Sequence, residues 1–272
     1  MARTLSPARP AGQRRRGLLL RRLLASTVAW RILSILLLCA AWELAGRVPV
    51  SPAFPTFAET IAALGRMAAD GSLAKAYAAT LEPLVIGVVL SAVLGVVVGV
   101  AMGLWRPAEW FGAPVFVVMQ AAPMAALIPL ITFIYGIGLA AKVIAVVALA
   151  MPVVVLNSYK AIRNASPSLV QMCRAFLGSR LQQIFKIVLP DSSPVIFAGL
   201  RLGVAAGFVG IVLAELLITP TGIGDLITYH RAVADYAEMY ATILSIIVLA
   251  AVTVGLLEQV EVAFFRPERK AG

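Results

Sequence analysis

Six separate segments of this chain are long and apolar enough to cross a lipid bilayer as helices. They run from about residue 28 to 45, 81 to 103, 115 to 135, 140 to 157, 194 to 218 and 240 to 258. A bilayer core about 30 Å thick requires roughly 20 consecutive apolar residues in a helix. Backbone polar groups in that core must be paired within the segment, which favours helices over open strands. The sequence therefore predicts an all-α, polytopic membrane helix bundle with six transmembrane helices.

Composition excludes the soluble and disordered classes. Hydrophobic residues make up 61% of the chain and charged residues 13%, whereas soluble domains average about 45–50% and about 25%. The single histidine and the two cysteines, Cys39 and Cys173, do not form a metal-binding spacing. We therefore expect no metal site and no cofactor. The first segment also fits a signal peptide, because a basic stretch precedes an apolar one.

The distribution of basic residues predicts the orientation. With a cytoplasmic N-terminus and six spans, 18 of the 23 Lys and Arg residues fall on the inside and five on the outside. Cytoplasmic loops of membrane proteins collect Lys and Arg, so both termini are expected in the cytoplasm. The net charge of +10 then reports topology, and no nucleic-acid partner is expected. Residues 1–26 are expected to be a disordered basic tail that contacts anionic lipid, residues 27–265 the transmembrane domain, and residues 266–272 a short cytoplasmic tail.

The first outside loop contains one short helix by its pattern. Thr56 and Glu59 have the spacing of a capping box. The apolar residues that follow share one helical face, so the helix is expected to lie on the bilayer surface. These residues are Phe57, Ile61, Leu64 and Ala68.

The connection between the fourth and fifth spans, residues 158–193, carries two amphipathic patterns. Ser166 followed by Pro167 predicts a helix start, and Gly178 predicts its end. A second short helix is expected to end before Pro190. These helices either dock a soluble partner or only cover the mouth of the bundle. Their apolar positions are Leu169, Met172, Cys173, Phe176 and Leu177 in the first, and Leu181, Ile184, Phe185 and Val188 in the second.

Glycines and two charges distinguish the second and fifth spans. Small residues recur every four positions from Gly87 to Gly103 and from Gly199 to Gly207, which favours close helix packing over substrate contact. Arg201 and Glu215 are ionisable residues inside the fifth span, where such groups are often functional. They lie about 21 Å apart along a helix and cannot pair directly. Each either braces the bundle or lines a transport pathway; for Glu215 the braced element would be the turn at 219–225.

Residues 171–190, QMCRAFLGSRLQQIFKIVLP, resemble the EAA loop of ABC importer permeases. That motif reads E-A-A, three residues, G, nine residues, I, one residue, L-P. Anchored on Pro190, it matches at Ile187 and Leu189, but it places E-A-A on Gln171, Met172 and Cys173 and the glycine on Leu177, one residue before Gly178. Further similarity lies in PMAALIPLITFIYGIG (123–138), GLRLG (199–203), AELL from 214 and GIG (222–224).

The resemblance implies a type I ABC importer permease of the nitrate, sulfonate and taurine branch. Such a permease works as a homodimer in the bacterial inner membrane with ATPase subunits and an external solute-binding protein. The implied ATPase-coupling helices lie at about 166–189. The coupling residues are Gln171, Met172, Cys173, Arg174, Leu177, Gly178, Ile187 and Pro190.

The chemistry available to the chain agrees with a non-enzymatic role. It contains no glycine-rich phosphate loop of the form G-x-x-x-x-G-K-[ST], so ATP hydrolysis is expected on a separate subunit. The expected solute is a small anion such as a sulfonate, taurine or nitrate, or a related organic compound. A self-contained secondary transporter or channel and a membrane scaffold without transport remain the alternatives.

Overall fold

The computed structural model describes residues 27–48, 51, 53–218 and 220–265. The predictions for the two tails, 1–26 and 266–272, lie outside this part of the chain. The chain divides into two compact units, Met1–Ala62 and Ala63–Gly272. The helices of the described residues are α1 Thr27–Arg47, α2 Phe57–Ala69, α3 Ser72–Leu104, α4 Arg106–Ala121, α5 Met124–Tyr135, α6 Leu139–Arg163, α7 Pro167–Ala175, α8 Arg180–Gln183, α9 Leu189–Leu217, α10 Ile223–Ala232 and α11 Tyr236–Phe265.

The first unit contains α1 and the start of α2. The turn between them is tied back to α1, because the Trp42 indole donates to the Pro55 carbonyl at 3.1 Å and the Glu43 carboxylate accepts from the Ala58 amide at 3.0 Å. The predicted capping box is confirmed. The Glu59 amide donates to Thr56 Oγ1 at 3.2 Å, and the Thr56 amide donates to Glu59 Oε2 at 2.9 Å.

In the second unit α6 is the central helix, packed between α3 and α9. A Cβ at Gly87, Gly95, Gly99 or Gly103 of α3 would collide with α6 side chains or backbone, and the same holds for Gly199 and Gly203 of α9. The missing Cβ atoms let the helix backbones approach closely and so increase the dispersion contacts between them. These contacts matter in a bilayer, because the hydrophobic effect contributes little to helix association there. The packing role predicted for both glycine series is confirmed.

The predicted third span, 115–135, is two helices. The α4 and α5 axes meet at 102°. Ala122 is extended and Pro123 precedes α5, because a proline disfavours helical backbone in the residue before it and lacks an N–H for the helix ladder.

The α4–α5 pair nevertheless crosses the bundle once. Near its start Glu109 accepts from the Tyr159 hydroxyl at 2.6 Å, beside the C-terminal end of α6. At its finish, Tyr135 is separated from the first residue of α6 by three residues. Tyr159 and Leu139 are 20 residues apart on α6, about 30 Å along its axis, so the pair runs from near one end of α6 to the other. Together with the five long apolar helices, this makes the predicted six spans.

The second short helix does not end before Pro190, and the fifth span does not begin at Pro194. α8 continues through a π-helical turn, Ile184–Val188, directly into α9. The Leu189 amide bonds to the Ile184 carbonyl, five residues back. This wider turn accommodates the proline ring and its missing N–H without breaking the helix. The prediction treated Pro190 as a stop and was wrong.

The buried face of α2 differs from the predicted one by about one residue. Thr60, Ala63 and Met67 are buried, whereas Ile61 and Ala68 are exposed. Within the second unit Met67 Sδ accepts from the Thr242 hydroxyl of α11 at 3.8 Å. The C-terminal half of α2 therefore packs on protein, in place of the expected position on the bilayer surface.

Candidate functional site: two charged regions at opposite ends of the bundle

A buried ion pair joins α6 to α9 at the end of the bundle where α6 begins. Lys142 Nζ lies 2.7 Å from Glu215 Oε1, and the two side chains are 5% and 0% exposed. The sequence singled out Glu215 but gave it no charged partner. It counted Lys142 among the charges of the outer side, although the predicted fourth span already contained it. A lysine inside a predicted span was the available signal for this pair.

The other contacts of the Glu215 carboxylate reach a third helix and the turn that precedes α10. Thr80 Oγ1 of α3 lies 3.0 and 2.9 Å from its two oxygens, and the Gly224 amide donates to Oε2 at 3.0 Å. Lys142 Nζ also donates to the Thr221 carbonyl at 3.2 Å. The buried carboxylate is thus fully hydrogen-bonded, as a charge at this depth requires. We call Thr80, Lys142, Glu215 and residues 221–224 the charge clamp.

Gly222 is required by the geometry of the clamp. Its φ is +95°, in the region that favours glycine, and a Cβ there would collide with the Glu215 carboxylate. The turn can therefore lie directly on the ion pair only because residue 222 has no side chain.

Arg201, the other predicted intramembrane charge, pairs with α11. Its guanidinium lies 3.0 Å from Glu258 Oε2 and 3.8 Å from Glu261 Oε2. Neither glutamate was predicted as a partner. Arg201 also lines a cavity of about 190 Å³ with Ser91, whose buried hydroxyl has no hydrogen-bond partner among the described residues. Arg201 and Glu215 thus belong to separate clusters.

The second region is the segment between α6 and α9, residues 164–188, which we call the α6–α9 connection. The predicted helix start is confirmed, with Ser166 at the N-cap and Pro167 as first residue. The Ser166 amide donates to Asp191 Oδ2 of α9 at 2.7 Å, which ties the start of α7 to the start of α9. Ser179 and Gln182 form a capping box for α8.

The end of α7 differs from the prediction. Leu177, and not Gly178, adopts the left-handed conformation, with φ +56°. The Gly178 amide donates to the Cys173 carbonyl and the Leu177 amide to the Arg174 carbonyl, both at 2.9 Å, in the pattern that commonly closes helices. A Cβ on Gly178 would collide with the Cys173 thiol. Residue 178 must therefore be a glycine to leave room for the Cys173 side chain. The unfavourable positive φ belongs to Leu177.

The predicted coupling residues are spread over this connection. Gln171, Met172, Arg174 and Leu177 are exposed, Cys173, Gly178 and Ile187 are half-buried, and Pro190 is exposed in the first turn of α9. Most of the apolar positions of the two predicted amphipathic helices are at the surface. Phe176 is 82% and Leu177 93% exposed, and Leu181 and Phe185 are also exposed.

Residues 94–264 match the family model described as "Binding-protein-dependent transport system inner membrane component". The chain belongs to this family. It is accordingly a multi-pass permease subunit of an ABC importer in the inner membrane. ATP hydrolysis resides on a separate ATPase subunit, and the family implies that ATPase and a solute-binding protein as partners.

Three curated relatives show the range of similarity. The riboflavin transport system permease protein RibX of Chloroflexus aurantiacus is 32% identical over 150 residues, which cover 54% of this chain and 56% of RibX. The putative aliphatic sulfonates transport permease protein SsuC of Bacillus subtilis is 25% identical over 225 residues, 81% of this chain and 82% of SsuC. The taurine transport system permease protein TauC of Escherichia coli is 26% identical over 158 residues, 58% of each chain.

Solved structures agree on the fold. A chain of the inward-facing MetNI methionine ABC transporter aligns with TM-score 0.59 at 18% identity, over 70% of this chain and 95% of that chain. A chain of an amino acid ABC transporter with histidines aligns with TM-score 0.60 at 14% identity, over 75% and 97%. The permease therefore shares the helical fold of these importer subunits.

Proposed function

We propose that two copies of this permease form the pathway for a small anionic solute of the sulfonate, taurine or nitrate class, with an ATPase seated on each α6–α9 connection. The observation that carries the proposal is the row of exposed apolar side chains on that connection. The connection lies between two long apolar helices, α6 and α9, and basic residues surround its apolar side chains. Apolar area of this kind on a polar segment is a feature of surfaces that bind another protein.

Both termini lie in the cytoplasm in this proposal. Six crossings return the chain to its starting side, and 18 of 23 basic residues then face the cytoplasm. The same orientation places the α6–α9 connection in the cytoplasm, where ATP is available. The membrane lipid contacted by the basic tail is expected to be anionic.

The coupling residues have distinct tasks in this assembly. Gln171, Met172, Arg174 and Leu177 present side chains to the ATPase. Cys173 and Gly178 close α7, and Ile187 and Pro190 transmit its displacement to α9 through the π turn. The tie from Ser166 to Asp191 supports this transmission, since a push on α7 acts directly on the helix that crosses the membrane.

Arg201 and Glu215 act as braces in this proposal. Both are engaged by named ion-pair partners, and Glu215 is fully hydrogen-bonded. A pathway group must exchange its bonds with a passing solute, which a saturated and buried carboxylate does poorly.

The substrate class rests on relatives. The alignment with the aliphatic sulfonates permease extends over 82% of that protein, and the taurine permease is a further relative. The riboflavin permease, at 32% identity over 56% of its length, supports a second candidate, a flat heterocyclic solute. Uptake of labelled taurine and riboflavin by cells that express the complete transporter decides between them.

Co-purification tests the assembly. The full chain, solubilised in mild detergent, is expected to retain its ATPase, whereas a variant lacking residues 166–178 inserts into the membrane but loses it. Deletion of residues 266–272, which removes charge from the same side, is the matched control and should leave the complex intact. Retention of the ATPase by the 166–178 deletion, or solute uptake by the chain alone without ATP, would contradict the proposal, and the second result would favour a secondary transporter or channel.

A further inference from the structure

The tip of the α6–α9 connection combines strain with apolar exposure. Leu177 has a left-handed backbone, φ +56°, which residues with a branched, bulky side chain rarely adopt. The side chain is almost fully exposed, as is that of Phe176 beside it. Neither feature improves the folded state of the isolated subunit. Strained residues cluster where a binding or switching function needs a fixed backbone.

The surroundings of the tip are uniformly basic. No Asp or Glu occurs anywhere between residues 110 and 190. Arg174, Arg180 and Lys186 are exposed, and none of the three has an ion-pair partner among the described residues. The first carboxylate after this stretch, Asp191, accepts from the Ser166 amide at 2.7 Å. The connection therefore offers a partner cationic groups without a carboxylate of its own to neutralise them.

We propose that Phe176 and Leu177 form an apolar knob that enters a pocket of the ATPase, and that the rim of this pocket carries carboxylates facing Arg174 and Arg180. The inference rests on the proposed function and adds the chemistry of the partner surface. The residues at the E-A-A positions, Gln171 to Cys173, provide no negative charge. In the proposed contact the permease therefore provides the basic residues and the groove of the ATPase provides the acidic ones.

The geometry favours a protein pocket over the lipid surface. Binding to a bilayer surface requires no particular backbone conformation, and the apolar side chains of an amphipathic helix that binds there lie along one face of the helix. The knob instead sits at the turn between α7 and α8, held by two backbone hydrogen bonds and followed by a capping box. Because the backbone of the knob is already fixed, only the two side chains lose conformational entropy when they enter a shaped pocket.

Two substitutions at Leu177 separate strain from binding. Leu177→Gly and Leu177→Asn both suit a left-handed backbone, so the thermal midpoint of the detergent-solubilised permease should stay unchanged or rise. Both remove the apolar anchor, so the affinity for the co-purified ATPase should fall roughly ten- to a hundredfold, as expected for one buried leucine. Ile137→Asn, an exposed apolar residue at the opposite end of α6, is the matched control and should leave the affinity unchanged.

Charge and lipid are tested in nanodiscs. Arg174→Glu with Arg180→Glu should weaken ATPase binding at 50 mM NaCl and reduce its salt dependence between 50 and 500 mM. The Leu177 effect should be equal in phosphatidylcholine discs and in discs containing phosphatidylglycerol. Unchanged affinity in the Leu177 variants, stronger binding by the double glutamate variant, or an effect confined to phosphatidylglycerol discs would overturn the inference. Failure of the wild-type chain to retain any ATPase would instead refute the proposed function.

Discussion

Removing one charge of the clamp should destabilise this permease more than removing both. In Glu215→Gln the amide oxygen can still accept from the Gly224 amide and the Thr80 hydroxyl, but Lys142 loses its counter-charge. The side chains are 5% and 0% exposed, so solvent does not screen the remaining ammonium group. Breaking a buried pair in this way costs about 3–5 kcal/mol. Lys142→Met leaves the carboxylate uncompensated and should cost a similar amount.

The double variant Lys142→Met/Glu215→Gln removes both charges and keeps an acceptor for the turn. Replacing a buried pair with neutral groups of similar volume is often close to neutral. The lost donor to the Thr221 carbonyl leaves that oxygen unpaired, which costs about 1–3 kcal/mol. The double variant should therefore be at least about 3 kcal/mol more stable than the sum of the single-variant effects predicts, a coupling that a double-mutant cycle measures.

Thermal unfolding in one detergent compares the stabilities of the wild type, the two single variants and the double variant. A cysteine in the turn measures how accessible the turn is. In a background where Cys39 and Cys173 are serine, Thr221→Cys places a thiol in the turn above the pair. Lys142→Met should increase its rate of maleimide labelling, because the Thr221 carbonyl loses its hydrogen bond to Lys142 of α6. Additive stability effects, or single variants within about 1 kcal/mol of the parent, which is far below the cost of a broken buried pair, would refute the reasoning.

Gly222→Ala should lower the free energy of unfolding more than Gly136→Ala does, since it adds a steric collision to the strain of φ +95°. Gly136→Ala, at φ +78° in open space, bears only the strain and should cost about 1–3 kcal/mol. Gly99→Leu should prevent close packing of α3 on α6 and lower the yield of folded protein in size-exclusion chromatography, whereas Gly255→Leu, with free space around it, should not. Hydrogen bonds from the hydroxyl and the amide of Ser72 lower the pKa of Asp70 from its ordinary value. The stabilising effect of Asp70 is therefore present above that ordinary pKa and is lost as the pH falls through the lower folded value. Melting curves from about pH 3 to 6 should show a smaller acid-side decline in Asp70→Asn.

Local signals predicted local structure well. The Thr56–Glu59 capping box and the Ser166–Pro167 helix start are formed as the sequence indicates, because each depends only on residues within one helical turn. The glycine series also predicted which helices pack closely. Helix periodicity alone did not locate the buried face of α2, since its partner α11 lies far away in sequence.

Two prolines had different effects on the helices around them. Pro123 interrupts the third span and bends it by 102°, whereas Pro190 lies within a continuous helix behind a π turn. Both remove an N–H from the helix ladder. Which outcome follows depends on whether neighbouring helices hold the chain straight, and this is a tertiary property.

By itself the sequence determined that this chain is a membrane helix bundle with six apolar spans, because apolar length strongly constrains a chain in lipid. Its resemblance to the EAA loop indicated the importer permeases. Only the tertiary structure decided what the charges do. Lys142 and Glu215 are 73 residues apart in the chain and become an ion pair because α6 and α9 pack together. The structure also places the left-handed residue that closes α7 at Leu177, one position before the glycine that the sequence indicated.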